Sequence, residues 1–166
     1  CLQETKLRST SKDPHFANYA VFRRDRPNGG GGGLAILIHH DVSFAPLDTS
    51  SITDSDAYIE VQAIAHDSAP LNIYNVYVPP ASSCPPDYAP NFDVLLSHSD
   101  ADTLILGDFN AHDASWSSLS DSRGDSLTDS LVNSDLTILN SPSPTHLPSS
   151  SQPSSPDLSL ISAHLS

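Results

Sequence analysis

Two acidic residues that follow apolar stretches are the first candidates for chemistry in this sequence. Glu4 lies in "LQET", and Asp108 follows "TLILG". Ligands of open α/β sheets bind outside the carboxyl ends of the strands, so acidic residues at those ends are candidates for a site. Two converging carboxylates repel each other unless a cation lies between them. Because their hard oxygen atoms suit Mg²⁺ or Mn²⁺ better than zinc, the pair predicts a magnesium or manganese site.

Two further polar residues belong to the same prediction. Asn110 follows Asp108 by two residues, which places both side chains on one side of an extended backbone. Its amide is both donor and acceptor, so it suits a phosphate oxygen and an attacking water. Tyr77, near the end of "NVYVPP", would bring a hydroxyl group to the same edge, although amphipathic packing is an alternative role for a tyrosine there.

Short apolar or alternating stretches predict the strands that position these residues. Residues 57–65 alternate with period two, and residues 71–80 are rich in β-branched and aromatic side chains before two prolines, so the two stretches are expected to pair. Continuous apolar runs predict buried strands at 33–39 and 103–109, and shorter ones predict strands at 136–140 and 157–162. "CLQETKL" also reads as part of a strand.

Helical spacing of apolar residues indicates helices over about 88–98 and about 124–134. Hairpins mixed with strand–helix alternation predict a layered α/β or α+β fold. The glycine-rich stretch 28–33 reads as a flexible turn, since it lacks the context of a phosphate-binding loop. The Ser/Pro-rich stretch 141–156 is either a linker or a long surface loop.

Length and composition bound the class of protein. The chain of 166 residues predicts a single domain over 1–166. Its two cysteines lack the spacing of a zinc cluster, and a disulfide framework is not indicated. No stretch is apolar enough to predict a membrane partner, and we expect an intracellular protein, nuclear or cytoplasmic, without a visible targeting segment.

The net charge of −13 is unevenly distributed. Residues 1–26 carry +3 (six basic and three acidic residues), and the remainder carries −16. A local basic patch can meet a phosphate backbone even on an acidic protein, because charges are screened within about 8 Å at physiological salt. Arg23, Arg24 and Arg26, beside the glycine-rich turn, are therefore weak candidates for substrate binding. Ordinary solvated charges are the alternative.

Four segments in order, "LQET", "NVYVPP", "LILGDFNAH…W" and "SSPDLSLIS", resemble the endonuclease/exonuclease/phosphatase superfamily, and especially the endonuclease domain of non-LTR retrotransposons. The resemblance implies a two-layer α/β sandwich of mixed β-sheets flanked by helices. It also implies a Mg²⁺- or Mn²⁺-dependent hydrolase that nicks DNA, in a polypeptide that also carries a reverse transcriptase. Target sequence and oligomeric state do not follow from it.

The resemblance also implies roles for individual residues. Glu4 would be the metal ligand, and Tyr77 would contact the phosphate or stabilise the transition state. Asp108 would orient or activate the attacking water, with Asn110 beside it on the phosphate. Asp157 would orient a catalytic histidine. These roles agree with the needs of phosphoryl transfer, which are an in-line water and positive or neutral donors around the phosphate.

The sequence departs from the family at both ends, so we expect an incomplete domain with impaired activity. Family members carry an asparagine-bearing strand before "QET" and a Ser-Asp-His motif one strand beyond "PDLSLIS". His164 follows Asp157 by seven residues, roughly 23 Å along an extended strand, and is expected to be a surface histidine. His112 is expected to be a structural or peripheral polar residue.

Two alternatives to a retrotransposon endonuclease remain at this point. Within the superfamily, an abasic-site endonuclease or a phosphatase for small phosphoesters would use the same residues. From a different class, the chain would be a non-catalytic remnant of a mobile element. Metal binding through Glu4 would separate a catalytic domain from a remnant.

Overall fold

The computed structural model describes residues 1–26, 31–97, 102–141, 143–150 and 152–166. Residues 28–30 of the predicted glycine-rich turn lie outside these ranges. The strands are β1 (Tyr19–Arg24), β2 (Leu34–His39), β3 (Phe44–Leu47), β4 (Glu60–His66), β5 (Leu71–Tyr77), β6 (Asp102–Asp108), β7 (Leu136–Ile138) and β8 (Asp157–Ser162). The helices are α1 (Ser50–Ser55), α2 (Phe92–Leu96) and α3 (Ser122–Val132), with single 3₁₀ turns at Ala81–Ser83 and Ala163–Leu165.

A six-stranded mixed sheet forms the centre of the fold, in the order β3-β4-β5-β6-β8-β7. The predicted hairpin is present, since β4 and β5 pair antiparallel. β5 and β6 are parallel, and helix α2 lies in the connection between them. β8 then pairs antiparallel with β6. The predicted α/β class is confirmed, with a mixed sheet that combines hairpins and a crossover.

The two faces of this sheet have different cores. The helices supply Ile52, Phe92 and Leu127, each almost fully buried, to the larger core on one face. Burial of a side chain of this size contributes about 1.5–3 kcal/mol. On the other face packs a second sheet, the antiparallel pair β1–β2, with Ile36 and Ile38 in a smaller core.

A buried asparagine joins the two sheets. Asn75, on β5, is fully buried, and its amide donates to the carbonyl oxygens of Leu2 (3.0 Å) and Ala35 (3.1 Å). Its side-chain oxygen accepts a hydrogen bond of 2.6 Å from Gln3. Because every polar atom of this buried amide has a partner, the amino-terminal segment is held in one position on the sheet.

Several expectations about element boundaries were wrong. "CLQETKL" is not a strand: Leu2 forms an isolated bridge to Ala35, and the left-handed φ angles of Glu4 (51°) and Lys6 (55°) end the extended conformation. The predicted helix over 88–98 covers only Phe92–Leu96, because Pro90 precedes it and Asn91 caps it through the Val94 amide.

The sequence patterns also missed some elements. Strands β1 and β3 and the short helix α1 were not predicted: no residue of β1 is fully buried, β3 has only four residues and contains Pro46, and α1 contributes only Ile52 to the core. The described part of 141–156 is a loop with one bridge, between His146 and Ser154. No helix in the described ranges is long and apolar enough to cross a membrane.

Candidate active site

A row of polar side chains crosses four adjacent strands at one end of the six-stranded sheet. Tyr77 and Asp108 are the last residues of the parallel strands β5 and β6 and are paired in register. Asp157, the first residue of β8, pairs with Asp108, and Glu60, the first residue of β4, pairs with Tyr77. Strand residues alternate between faces, so all four side chains lie on the face opposite the helices.

Glu4 joins this row from the amino-terminal segment. The Tyr77 hydroxyl donates a hydrogen bond of 2.9 Å to Oε1 of Glu4. The backbone after Glu4 is fixed by amide hydrogen bonds from Thr5 to the Gly33 carbonyl (3.1 Å) and from Lys6 to the Gly32 carbonyl (2.9 Å). Glu4 and Tyr77, which are 73 positions apart, are thus brought into direct contact.

Asp108 carries the strongest electrostatic signal of the site. Burial raises the pKa of its carboxyl group to about 7, and the nearby carboxylates of Asp157 and Glu4 add to this, against hydrogen bonds from Asn110. The same environment keeps the pKa of Tyr77 above its ordinary range, through burial and through the neighbouring carboxylate of Glu4. Tyr77 therefore remains a hydrogen-bond donor, and Asp108 exchanges a proton near neutral pH.

Asn110 is fixed in the turn that follows β6. Its backbone adopts a left-handed φ of 45°, and its amide nitrogen donates to Oδ1 of Asp108 (3.1 Å). Its side-chain Nδ2 donates to the Val78 carbonyl (3.0 Å). Phe109 and Ala111, the residues on either side, are fully buried. This alternation anchors the turn in the core and leaves the polar side chains at the surface of the site.

The three arginines occupy different environments. Arg26 reaches the row: it forms an ion pair with Glu60 (Nε–Oε1 2.6 Å), and its guanidinium lies 6.0 Å from the centre of the Tyr77 ring. Arg24 donates to the Val61 carbonyl (2.5 Å). Arg23 is held by Asp13 (3.1 Å) and Asp25 (3.4 Å). Of the three arginines, Arg26 is therefore the one that contacts residues of the row, Glu60 and Tyr77.

The sequence patterns missed Glu60 and the setting of His112. Glu60 was recognised only as one side of an alternating strand, and its position opposite Tyr77 follows from the hairpin register. His112 forms a 2.8 Å hydrogen bond with Asp121. His164 bonds to Asp102 (2.8 Å), which starts β6 at the end opposite Asp108, so it lies away from Asp157.

The donors of the row suit a hard divalent cation. In the described residues, no three His, Cys, Asp or Glu side chains form a ready metal cluster. Mg²⁺ does not require one, because it is commonly bound by one or two carboxylates, waters and substrate phosphates. Burial and two neighbouring carboxylates raise the pKa of Asp108, which shows that negative charge is crowded at this point. A bound cation would neutralise that charge.

Comparison with solved structures identifies the class of fold. The endonuclease domain of TRAS1, a telomere-specific non-LTR retrotransposon, matches with a TM-score of 0.61 at 21% identity, over 90% of this chain and 69% of that chain. This likeness establishes the fold. A comparison with curated protein sequences found no match.

The family follows from the sequence itself. A family model described as endonuclease-reverse transcriptase matches residues 71–166, more than half of the chain. The chain therefore belongs to this family. Tyr77, Asp108, Asn110 and Asp157 all lie within the matched residues, whereas Glu4 and the three arginines precede them.

Proposed function

We propose that this domain hydrolyses phosphodiester bonds of DNA with the help of Mg²⁺ or Mn²⁺, as the nicking endonuclease of a non-LTR retrotransposon. The observation that carries the proposal is the convergence of four separate segments at one end of the six-stranded sheet. These segments contribute Glu4, Tyr77, Asp108 and Asp157. Membership of the endonuclease-reverse transcriptase family supports the substrate class and a parent polypeptide with a reverse transcriptase.

Glu4 would hold the cation, which when bound supplies positive charge to the attacked phosphate. Asp108 would accept the proton of the attacking water, a task suited to a carboxyl group with a pKa of about 7. Asn110 would hold the phosphate and the water in line. Tyr77 would donate a hydrogen bond from its hydroxyl group to a phosphate oxygen once the Glu4 carboxylate is engaged elsewhere.

Asp157 would act on Asp108. Its carboxylate raises the pKa of Asp108, and only burial raises that pKa more. In the described residues no histidine bonds to Asp157, and the histidines 112 and 164 are held by other aspartates. Keeping Asp108 basic is therefore the role that we propose for Asp157 here. Arg26 would contribute positive charge beside Tyr77.

A plasmid-nicking assay tests the proposal. Supercoiled plasmid is incubated with the protein and Mg²⁺, and conversion to the open circle is followed for wild type, Glu4→Gln and Asp108→Asn. We expect the two substitutions to reduce nicking by at least about 100-fold, as loss of a catalytic group does. Asp129→Asn, an exposed position on α3, is the matched control and should nick like wild type.

The same variants separate an enzyme from a non-catalytic remnant. Millimolar Mn²⁺ should raise the melting temperature of wild type, because a ligand that binds only the folded state stabilises it. Glu4→Gln should remove this increase. Nicking by Glu4→Gln at the wild-type rate would overturn the proposed role of Glu4, and a wild type that neither nicks nor responds to Mn²⁺ would favour the remnant.

A further inference from the structure

A cleft of about 400 Å³ lies beside the active-site row, between α3 and the loop that follows β5. Its polar lining includes Asn110, His112, Asp121 and Arg123, and Tyr88 contributes to an apolar wall. Asn110 also contacts Asp108 through its backbone amide (3.1 Å). One residue therefore borders both the row and the cleft.

His112 is oriented for a ligand in this cleft. Its Nδ1 lies 2.8 Å from Oδ2 of Asp121. The other carboxylate oxygen of Asp121 accepts the Gly124 amide (2.8 Å) as the cap of α3. Nε2 of His112 has no hydrogen-bond partner in the described residues and is not among their buried unpaired atoms, so it is open to the cleft. In a protonated imidazole both ring nitrogens are donors, so Nε2 can donate to a ligand while Nδ1 stays bonded to Asp121.

Asp121 is a charged partner that holds one side of the His112 ring. Burial alone would raise the pKa of Asp121, but hydrogen bonds from His112 and from the Gly124 amide outweigh it, and the pKa lies below the ordinary value. The carboxylate is therefore ionised at neutral pH. Tyr88, which also lines the cleft, donates a hydrogen bond from its hydroxyl group to Asp56 (2.8 Å) and itself adds no negative charge.

Arg123 adds a second cation. It is only 7% exposed, and in the described residues it forms no ion pair. Its guanidinium donates to the Pro79 carbonyl (2.7 Å) and to the Cys84 sulfur (3.6 Å) and lies 5.7 Å from the Tyr88 ring. Since a buried charge without a counter-ion is costly, an anionic ligand would stabilise this arrangement.

We propose that the cleft binds a backbone phosphate next to the one that is cut, with His112 donating to it from Nε2 and Arg123 supplying charge. This inference rests on the proposed function, because it assumes a nucleic-acid strand at the row. Asp121 is then a positioning residue, which fixes the ring of His112. A nucleobase packed against the Tyr88 wall is the competing occupant, and it would not need the charges.

Chemical-shift titration of the histidine side chains tests the subsite without catalysis. Protein labelled with ¹³C-histidine is titrated in EDTA with tetrathymidylate, and in parallel with its methylphosphonate analogue, which lacks the charges. We expect the His112 signal, assigned with His112→Gln, to move with the charged probe only. Equal movement with both probes would indicate a base or sugar and would overturn the proposal, as would no movement with either.

His164 is the matched control. It bonds to Asp102 at 2.8 Å, as His112 bonds to Asp121, but it lies at the other end of β6. Its signal should stay unchanged in both titrations. Movement of both histidines with the charged probe alone would mean general attraction of anions to histidine–aspartate pairs, and would also overturn the proposed subsite.

The nicking assay supplies a second readout. His112→Gln should raise KM by about tenfold, the effect of one hydrogen bond to a charged group, with kcat within about twofold of wild type. His164→Gln should change neither. If wild type does not nick DNA, the proposed function fails, while the titration still decides whether the cleft binds phosphate.

Discussion

Asp108→Asn should stabilise the domain at alkaline pH while it abolishes hydrolysis. Asp108 is a partly buried carboxyl group whose pKa is raised to about 7 by burial and by the carboxylates of Asp157 and Glu4. When ionised, it is repelled by its neighbours. Asparagine has the same shape, keeps the oxygen that accepts the Asn110 amide, and cannot ionise.

The size and sign of the effect follow from proton linkage. Between the ordinary pKa of 3.8 and about 7, folded wild type retains a proton that the unfolded chain has lost, so its stability falls as pH rises through this interval. The full gap corresponds to about 4 kcal/mol at 1.36 kcal/mol per pH unit. Partial contact with water screens the charges, so we expect about 2 kcal/mol. Asp108→Asn avoids this loss.

Urea unfolding measures the difference. The single tryptophan, Trp116, is buried and reports the transition by fluorescence. In EDTA at about pH 8, Asp108→Asn should have the higher unfolding free energy, and at about pH 4 the two proteins should be equal. Asp129→Asn should match wild type at both. A gain of equal size at both pH values, or none at about pH 8, would refute the electrostatic account of Asp108.

Three further substitutions test the positioning of the row. Tyr77→Phe should lower kcat by about 10- to 100-fold, because the hydroxyl bonded to Glu4 is lost. Its melting temperature should stay near that of wild type. A large loss of stability would instead indicate a packing role. Asn75→Ala should lower the free energy of unfolding in urea by about 3 kcal/mol, since buried partners lose their hydrogen bonds. It should also expose the amino-terminal segment to proteolysis. Unchanged proteolysis would contradict the anchoring role. In Gly107→Ala, the added Cβ would lie 2.3 Å from the Val76 carbonyl oxygen, so we expect a loss of about 2 kcal/mol and slower nicking, and wild-type stability would show that the strands can separate there.

Much of the central sheet could be predicted from the sequence. The alternation over 57–65 and the β-branched run over 71–80 correctly predicted the β4–β5 hairpin, because a period of two is a local property. The apolar runs before Asp108 and after Asp157 likewise correspond to β6 and β8. The alternation of polar Asp108, Asn110 and His112 with buried Phe109 and Ala111 is also visible in the sequence.

The weak local patterns were misleading. The segment that carries Glu4 is held by Asn75 and by the strand β2 rather than by its own propensity, so no pattern in "CLQETKL" could show that its extended conformation ends at Glu4. The half-exposed strand β3 is only four residues long and contains a proline, so it could not be recognised without its partner β4. Both segments owe their conformation to tertiary contacts.

By itself, the sequence determined which polar residues are candidates for a site and which strands lie next to them, because side-chain chemistry and strand periodicity are local properties. Only the tertiary structure decided that Glu60, Tyr77, Asp108 and Asp157 stand in one row, since strand order and register depend on pairing between distant segments. It also decided the charge state of Asp108, because burial and neighbouring carboxylates exist only in the folded chain.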